Sequence, residues 1–378
     1  MNDSANRALL PAGLPDILPP EAQHEASVVA LLMEGFAGQG FDPVKPPLIE
    51  FEDSLFAGPG AALARSSFRL MDPASGRMLA VRPDMTPQIS RIAATRMSDA
   101  PRPLRLSYAG EVLRVKASQL RPERQFVQAG IELIGSASCE ADAEVVRLAH
   151  EGLESLGIEG VSVDLTLPTL VPALCQGLDL SADDLVRLRD ALDHKDPARL
   201  AGLPGQALFE GLLRASGPVG KALAALEKLK LSDAALSEIG RLKAVAAAIQ
   251  RDAPGMTLTV DAVESRGFEY HCGVAFTLFA KGQSFELGRG GRYAVDGEPA
   301  TGVTLFMDTV LKCTPLKAAR PRLYLPVGTS WESGQSWRAK GYATVAGLES
   351  VTDAKAEAKR LGCGFWLNNN EIKDIKES

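Results

Sequence analysis

The stretch RPERQFVQAGIELIG, residues 121–135, constrains this chain more than any other, because its alternation is that of a β-strand. Successive strand side chains point to opposite faces, so residues two apart share a face. Val127, Ala129, Ile131 and Leu133 form one face, apolar and suited to a core. Arg124, Gln128 and Glu132 fall on the other, with Gly130 between the last two. Two readings fit. In one, the polar face meets water, as on a half-exposed antiparallel strand. In the other it lines a pocket, and Gly130 supports this, since a glycine inside a strand marks a bulge or a close approach.

The rest of the chain supplies enough sequence to bury such a strand. Its 378 residues suit two or three domains, and 46% hydrophobic with 23% charged residues describes an ordinary globular protein. A formal charge of −6 argues against a protein whose main business is gripping nucleic acid phosphates. Cys139, Cys175, Cys272, Cys313 and Cys363 are scattered, odd in number and never in a CxxC pair. They predict neither a disulfide framework nor a zinc site, but small thiols in a reducing compartment. None of the four histidines belongs to an HExxH motif, and no metal or cofactor is expected. The first residues lack a basic segment followed by an apolar run, and nothing approaches the roughly 20 apolar residues of a membrane span. The expectation is a cytoplasmic protein with no membrane partner.

Along the chain, a Pro-rich extended start leads into a helix from about Glu21, with Val28, Leu31, Leu32 and Phe36 at helical spacing and a stop at Gly38 and Gly40. A Pro-punctuated extended segment follows, then a hairpin turning at DPASG. QISRIAATRMS reads as a helix, PLRLSYAGEVLRV and the alternating stretch as two strands, and CEADAEVVRLAHEGLESLG as an amphipathic helix. VSVDLTL is a strand. Residues 168–255 turn to Leu, Ala and charge with helical patterning throughout, Ser181 capping one helix, and read as a helical insertion. Strand-like sequence returns in TLTVDAV and FEYHCGVAFTLFAKGQSFELGRGGRY, where LGRGGRY reads as a tight glycine turn and not as a dinucleotide-binding loop. The expected organisation is a core over residues 1–317 and a short α/β unit over 318–378, a strand–helix–strand too small to stand alone.

Polar residues recur where a mostly apolar sheet has no need of them. VRPDMT places Arg82, Asp84 and Thr86 on one side of an extended segment, GEVLRVK ends a strand with Arg114, and SRGFEYHCG puts Arg266 and Tyr270 in phase. Carboxylates with an amide suit an ammonium; an arginine suits a carboxylate or phosphate.

In this order the pieces resemble the class II aminoacyl-tRNA synthetase core, specifically the histidyl type, over roughly residues 10–315. GFDPVKPPLIE (40–50) is similar to the first class II motif, at the dimer interface, and residues 110–135 to the second, the strand–loop–strand that holds ATP. SRGFEYHCGVAF and GRGGRY resemble two signatures specific to histidyl enzymes. The resemblance implies an α+β fold: a mostly antiparallel sheet flanked by helices, with a helical insertion and a small C-terminal α/β unit. It implies that Asp84, Gln128 and Glu132, accompanied by Thr86, face the ammonium of histidine. Arg266 then lies near the carboxylate, and Tyr270 reaches toward the imidazole.

Departures from the family decide what the resemblance implies about activity. Where the second motif has Arg–x–Glu gripping ATP, this chain has Arg114 and Lys116; where the third has a triphosphate-clamping arginine, it has Thr309. Loss of one charge-assisted contact costs about 1.5–3 kcal/mol, and loss of a transition-state stabiliser roughly 10²–10³ in rate. The FDYYxR pattern is also altered, with His271 and Cys272 after Tyr270. This combination is similar to the ATP phosphoribosyltransferase regulatory subunits, synthetase paralogues without aminoacylation. That group implies no catalytic residue in this chain and a vestigial ATP site at Arg114, Lys116 and Thr309. It implies a homodimer within a hetero-oligomer, with a short-form ATP phosphoribosyltransferase catalytic subunit as partner. Histidine would be the effector, and no tRNA would bind. A truncated active synthetase, or a paralogue acting on another carrier, is the alternative.

Overall fold

In the computed structural model, which describes residues 9–117, 121–265, 268, 270–316 and 319–376, the alternating stretch forms β6 (Gln125–Ile134), inside a nine-stranded sheet. The other strands are β1 (Asp42–Pro43), β5 (Leu104–Leu113), β7 (Val161–Thr166), β8 (Gly217–Pro218), β9 (Thr257–Val260), β10 (Ala275–Ala280), β11 (Gly288–Val295) and β12 (Glu298–Phe306). Their order is β1-β5-β6-β12-β11-β10-β7-β9-β8. Every pair from β5 across to β7 is antiparallel, while β1 with β5 and β7 with β9 are parallel. Each edge strand is two residues long and ends in proline, Pro43 at one side and Pro218 at the other.

Both faces of β6 are buried, so its polar face is not wet. Gln128 and Glu132 are 0% and 1% exposed. On one side Ala129, Ile131 and Leu133 join the main core with α1 (Glu21–Gly38) and α4 (Cys139–Ser155). α1 buries Val28, Leu32 and Phe36, as their helical spacing requires, while Leu31 faces outward. The chain leaves α1 through Gly40, whose φ of +79° is a left-handed conformation that glycine adopts freely. α4 starts where the Ser138 side chain accepts from the Ala141 amide. It carries the buried Asp142, which pairs with Arg292 of β11 at 2.7 Å and with Arg241 at 2.9 Å.

The other face of the sheet is covered by α3 (Thr86–Thr95) and a second cluster that includes Met85, Ile89, Tyr108, Phe126, Tyr293 and Phe306. A separate antiparallel sheet leads into α3. It comprises β2 (Ile49–Phe51), β4 (Met78–Val81) and β3 (Arg69–Met71), in that spatial order, with α2 (Glu52–Leu55) after β2. The β3–β4 hairpin turns at DPASG as expected, with Gly76 at φ +66° donating to the Asp72 carbonyl.

The insertion contains α5 (Leu170–Cys175), α6 (Ala182–Asp193), α7 (Gln206–Arg214), α8 (Val219–Leu226) and α9 (Asp233–Asp252). Ser181 and Asp184 cap α6 reciprocally. The segment is not helical throughout: Gly217 and Pro218 pair with Val260 and Thr259, which makes it the outermost strand of the sheet. GRGGRY is likewise a strand and not a tight turn. Its glycines let neighbouring backbones close in, since a Cβ on Gly290 would lie 2.2 Å from the Gly302 carbonyl oxygen. β12 then runs into α10 (Met307–Cys313).

The chain divides into two units between Pro315 and Leu316. The second is larger than strand–helix–strand. It has β13 (Arg322–Leu325), α11 (Trp331–Ala339), β14 (Ala343–Ala346), α12 (Ala354–Arg360), β15 (Phe365–Asn368) and β16 (Glu371–Asp374). β13 lies between β14 and β15, parallel to both, and β16 closes back on β15. That last hairpin turns through Asn369 and Asn370, both at positive φ. Among the described residues, no helix is long and apolar enough to cross a membrane.

Candidate functional site

The polar face of β6 contributes Glu132 to a small pocket. Gln128 holds Asp84 at 2.8 Å through Nε2, and its Oε1 accepts from the Met85 amide. Asp84 in turn accepts from the Thr86 amide at 2.9 Å, which fixes the start of α3. Glu132 is reached from two sides: the Tyr293 hydroxyl donates to Oε2 at 2.9 Å and the Tyr108 hydroxyl to Oε1 at 3.3 Å. Tyr108 also meets Thr304 at 2.7 Å. Gly130 permits this arrangement. Tyr108 stands opposite it across the β5–β6 pair, and a Cβ on Gly130 would lie 2.5 Å from the Tyr108 hydroxyl.

Burial dominates the electrostatics. It pushes the Glu132 carboxyl up to about 8, with the charge of Asp84 adding to the rise and the bond from Tyr293 opposing it. The same burial, reinforced by Glu132, holds the Tyr108 and Tyr293 phenols well above their ordinary range. Burial thus favours the protonated form of Glu132.

Thr86, Glu132, Tyr270, His271, Arg289 and Tyr293 are among the walls of a cavity of about 10 Å³, room for about one water. Asp84 and Gln128 brace it from behind as a hydrogen-bonded pair. Tyr270 stacks on His271 at 4.2 Å and meets Tyr293 edge-on at 5.9 Å. Arg266 lies outside the described residues. Arg82 and Arg124 are not part of the site. Arg82 is tied to the Glu111 carbonyl at 2.7 Å and the Pro46 carbonyl at 3.1 Å, because the chain is not extended through Thr86 but turns there into α3. Arg124 is turned to the carbonyls of Arg114 and Ala12.

Arg114 and Thr309, expected at a vestigial ATP site, lie near an ion-paired cluster that adjoins this pocket through Arg289. Arg121 grips Asp308 with two hydrogen bonds of 2.9 and 2.7 Å and lies over the Phe306 ring at 4.1 Å. Glu286 stands 3.5 Å from Arg121 and accepts from Arg289 at 3.0 Å. Thr309 is fully buried, donating to the Glu286 carbonyl at 2.7 Å. Arg114 lies over Phe126 and Phe306, its guanidinium pKa lowered by burial and then by Arg121. Lys116 is exposed.

Sequence reasoning brought Asp84, Thr86, Gln128, Glu132 and Tyr270 to one place and missed Tyr108, His271, Arg289, Tyr293 and Thr304. Reading GRGGRY as a strand would have put Arg289 and Tyr293 on one face by alternation. Tyr108 opposite Gly130 needed the register of β5 against β6, which no local pattern supplies.

The fold has known counterparts. The family model described as histidyl-tRNA synthetase matches residues 13–310. An ATP phosphoribosyltransferase regulatory subunit from Paramagnetospirillum magneticum is 55% identical over 379 aligned positions, covering all of both chains. One from Rhodospirillum centenum is 53% identical, covering 99% of this chain and 98% of its own. The chain belongs to the ATP phosphoribosyltransferase regulatory subunit family. A crystal structure from Bacillus halodurans, described as an ATP phosphoribosyltransferase regulatory subunit/histidyl-tRNA synthetase, superposes with a TM-score of 0.80. It is 24% identical and covers 93% of this chain and 96% of its own, which establishes the class II fold. The histidyl model stops inside α10, whereas relatives in the regulatory subunit family align through the C-terminal unit as well.

Proposed function

We propose that this chain is the non-catalytic regulatory subunit of an ATP phosphoribosyltransferase in the cytoplasm. It would be required by a short-form catalytic subunit, and would carry feedback inhibition by histidine in the first step of histidine biosynthesis. One observation supports the reading: Glu132, Thr86 and the Asp84–Gln128 pair are gathered in one place, while Arg121, in the segment that resembles the ATP-holding motif, is engaged by Asp308 of this chain. Carboxyl groups at one end suit an ammonium, and Arg266, by the family resemblance, suits the carboxylate. Thr309 and Lys116 stand where adenylation needs an arginine and an acid, so neither amino-acid activation nor a tRNA partner is part of this function.

The chain acts as a homodimer within a larger hetero-oligomer. Leu48, Ile49, Leu70, Met71 and Met78 support this: they are exposed on or beside the small β2–β4–β3 sheet, next to the segment 40–56 that resembles the class II dimer motif.

Reconstitution with a short-form catalytic subunit tests the reading. Phosphoribosyl transfer should depend on this chain and fall as L-histidine is added. Glu132→Gln should weaken the inhibition and leave basal transfer nearly unchanged. A well-folded mutant complex with undiminished histidine sensitivity would move the effector site away from this pocket.

A further inference from the structure

The first turn of α3 is held from two directions. At its head Thr86 lines the pocket, and the Met85 and Thr86 amides donate to Gln128 and Asp84. Its other side is tied to the Pro-punctuated segment that resembles the class II dimer motif. Gln88, 1% exposed, donates from Nε2 to the Pro47 carbonyl at 2.7 Å and to Glu50 of β2 at 2.8 Å. Its Oε1 accepts from Arg82 Nη1 at 3.2 Å. One turn on, Arg91 grips the same Glu50 carboxylate, with Nε donating to Oε2 at 3.0 Å and Nη2 to Oε1.

These bonds leave the Gln88 amide one orientation. Arg82 has only hydrogens to give and the Pro47 carbonyl only lone pairs, so each end of the amide has a fixed partner. The Glu50 side chain is likewise buried and engaged by two residues of α3. Arg82 completes the network on the side of the pocket. A Cβ on Gly110 would lie 2.3 Å from its Nη2, and Gly110 stands opposite Gln128 across the β5–β6 pair. Pocket and network thus share one helical turn.

The cavity has room for about one water. An amino acid is larger, so part of the lining must shift when one binds. Glu132, Tyr293 and Thr304 stand on β6, β11 and β12, interior strands of the large sheet, whereas Thr86 stands on a helix outside it. An ammonium beside Asp84 pulls on the carboxylate that fixes the head of α3. α3 cannot shift alone, because leaving Glu50 or Pro47 behind would strand buried polar groups.

We propose that Gln88, braced by Arg82 and Glu50, is a positioning residue that passes occupancy of the pocket to residues 46–51 and the small β2–β4–β3 sheet. This rests on the reading above that Glu132 and its neighbours hold the ligand's ammonium. The exposed apolar side chains of that sheet then stand where binding of the amino acid is felt.

Hydrogen–deuterium exchange of the full chain, with and without saturating L-histidine, tests this. In the wild type, histidine should change exchange by about threefold or more both in α3 and at amides 48–51. Gln88→Met keeps the length of the side chain without its amide. Histidine should still alter α3 in this variant, while the response at 48–51 is mostly lost. Glu50→Gln keeps the shape and weakens the acceptor, and its response should fall between the two. A merely structural role would change exchange in the unliganded chain and leave the response to histidine in place. A wild type that binds histidine without a response in α3, or with one in α3 and none at 48–51, would overturn the relay alone. So would a wild-type response at 48–51 in Gln88→Met, or in Glu50→Gln should the first variant fail to fold. A wild type that does not bind histidine would overturn the pocket reading as well.

Discussion

A Cβ placed on Gly302 would stand 1.6 Å from Oε2 of Glu132, because β12 and β6 set these two residues directly opposite each other. Glu132 occupies the space that every other amino acid would fill at position 302. Gly302→Ala should therefore drive the carboxyl from its bond with Tyr293. Overpacking of this kind costs about 1–3 kcal/mol, read as a lower denaturant midpoint at unchanged m-value. Histidine binding, measured in parallel, should be lost. A variant with wild-type stability and affinity would mean that Glu132 has room to move without consequence.

Glu132 should also leave a signature in the pH dependence. Its carboxyl titrates near 8 in the folded chain and near 4.5 when unfolded. The folded state thus keeps a proton that the unfolded state loses. The resulting stability is fully present below about pH 4.5 and is lost as pH rises through about 8. Between those limits the melting temperature of Glu132→Gln, which does not ionise, should fall less steeply than that of the wild type. An ammonium arriving beside Glu132 favours the carboxylate, so histidine binding at pH 7 should release a proton. Titrations in buffers of different ionisation enthalpy would detect it, and zero proton release would contradict the assigned contact.

The proposed loss of the nucleotide site gives a third expectation. In pyrophosphate exchange with histidine and ATP, the wild type should give background signal. Thr309→Arg should give the same, because Arg121 would still be engaged by Asp308 and Lys116 would still stand in place of the acid. Robust exchange by either protein would favour the truncated-synthetase alternative.

The exposed apolar side chains of the small sheet predict association. Sedimentation at micromolar concentration should find at least a dimer, and Met71→Glu, at a side chain 65% exposed, should shift the equilibrium toward monomer. A wild-type monomer under these conditions would argue against an interface through β2, β3 and β4.

Much of this was legible in the sequence because the signals are local. Alternation identified β6, helical spacing found α1 and α4, and the turn residues of DPASG marked the β3–β4 hairpin. Arg82 was misplaced because the backbone turns into α3 at Thr86, and period-two reasoning assumes that it does not. The GRGGRY error has a different cause: glycines there serve close strand packing, and a turn uses the same residue for its backbone freedom. The strand at Gly217–Pro218 carries no local signal, since its existence depends on a partner, Val260, more than forty positions away. His271 was noted as a departure from a motif; its place in the pocket lining depends on burial, which sequence does not report.

The prolines at both ends of the large sheet bear on how this protein behaves in a crowded solution. The outermost strand at either margin offers an incoming strand only two residues, one of them without an N–H to give. Short, proline-ended margins of this kind disfavour templated growth, the route by which exposed strands seed fibrils, even though no barrel seals the sheet. Contacts made by side chains on faces and helices can be made and broken without extending this sheet.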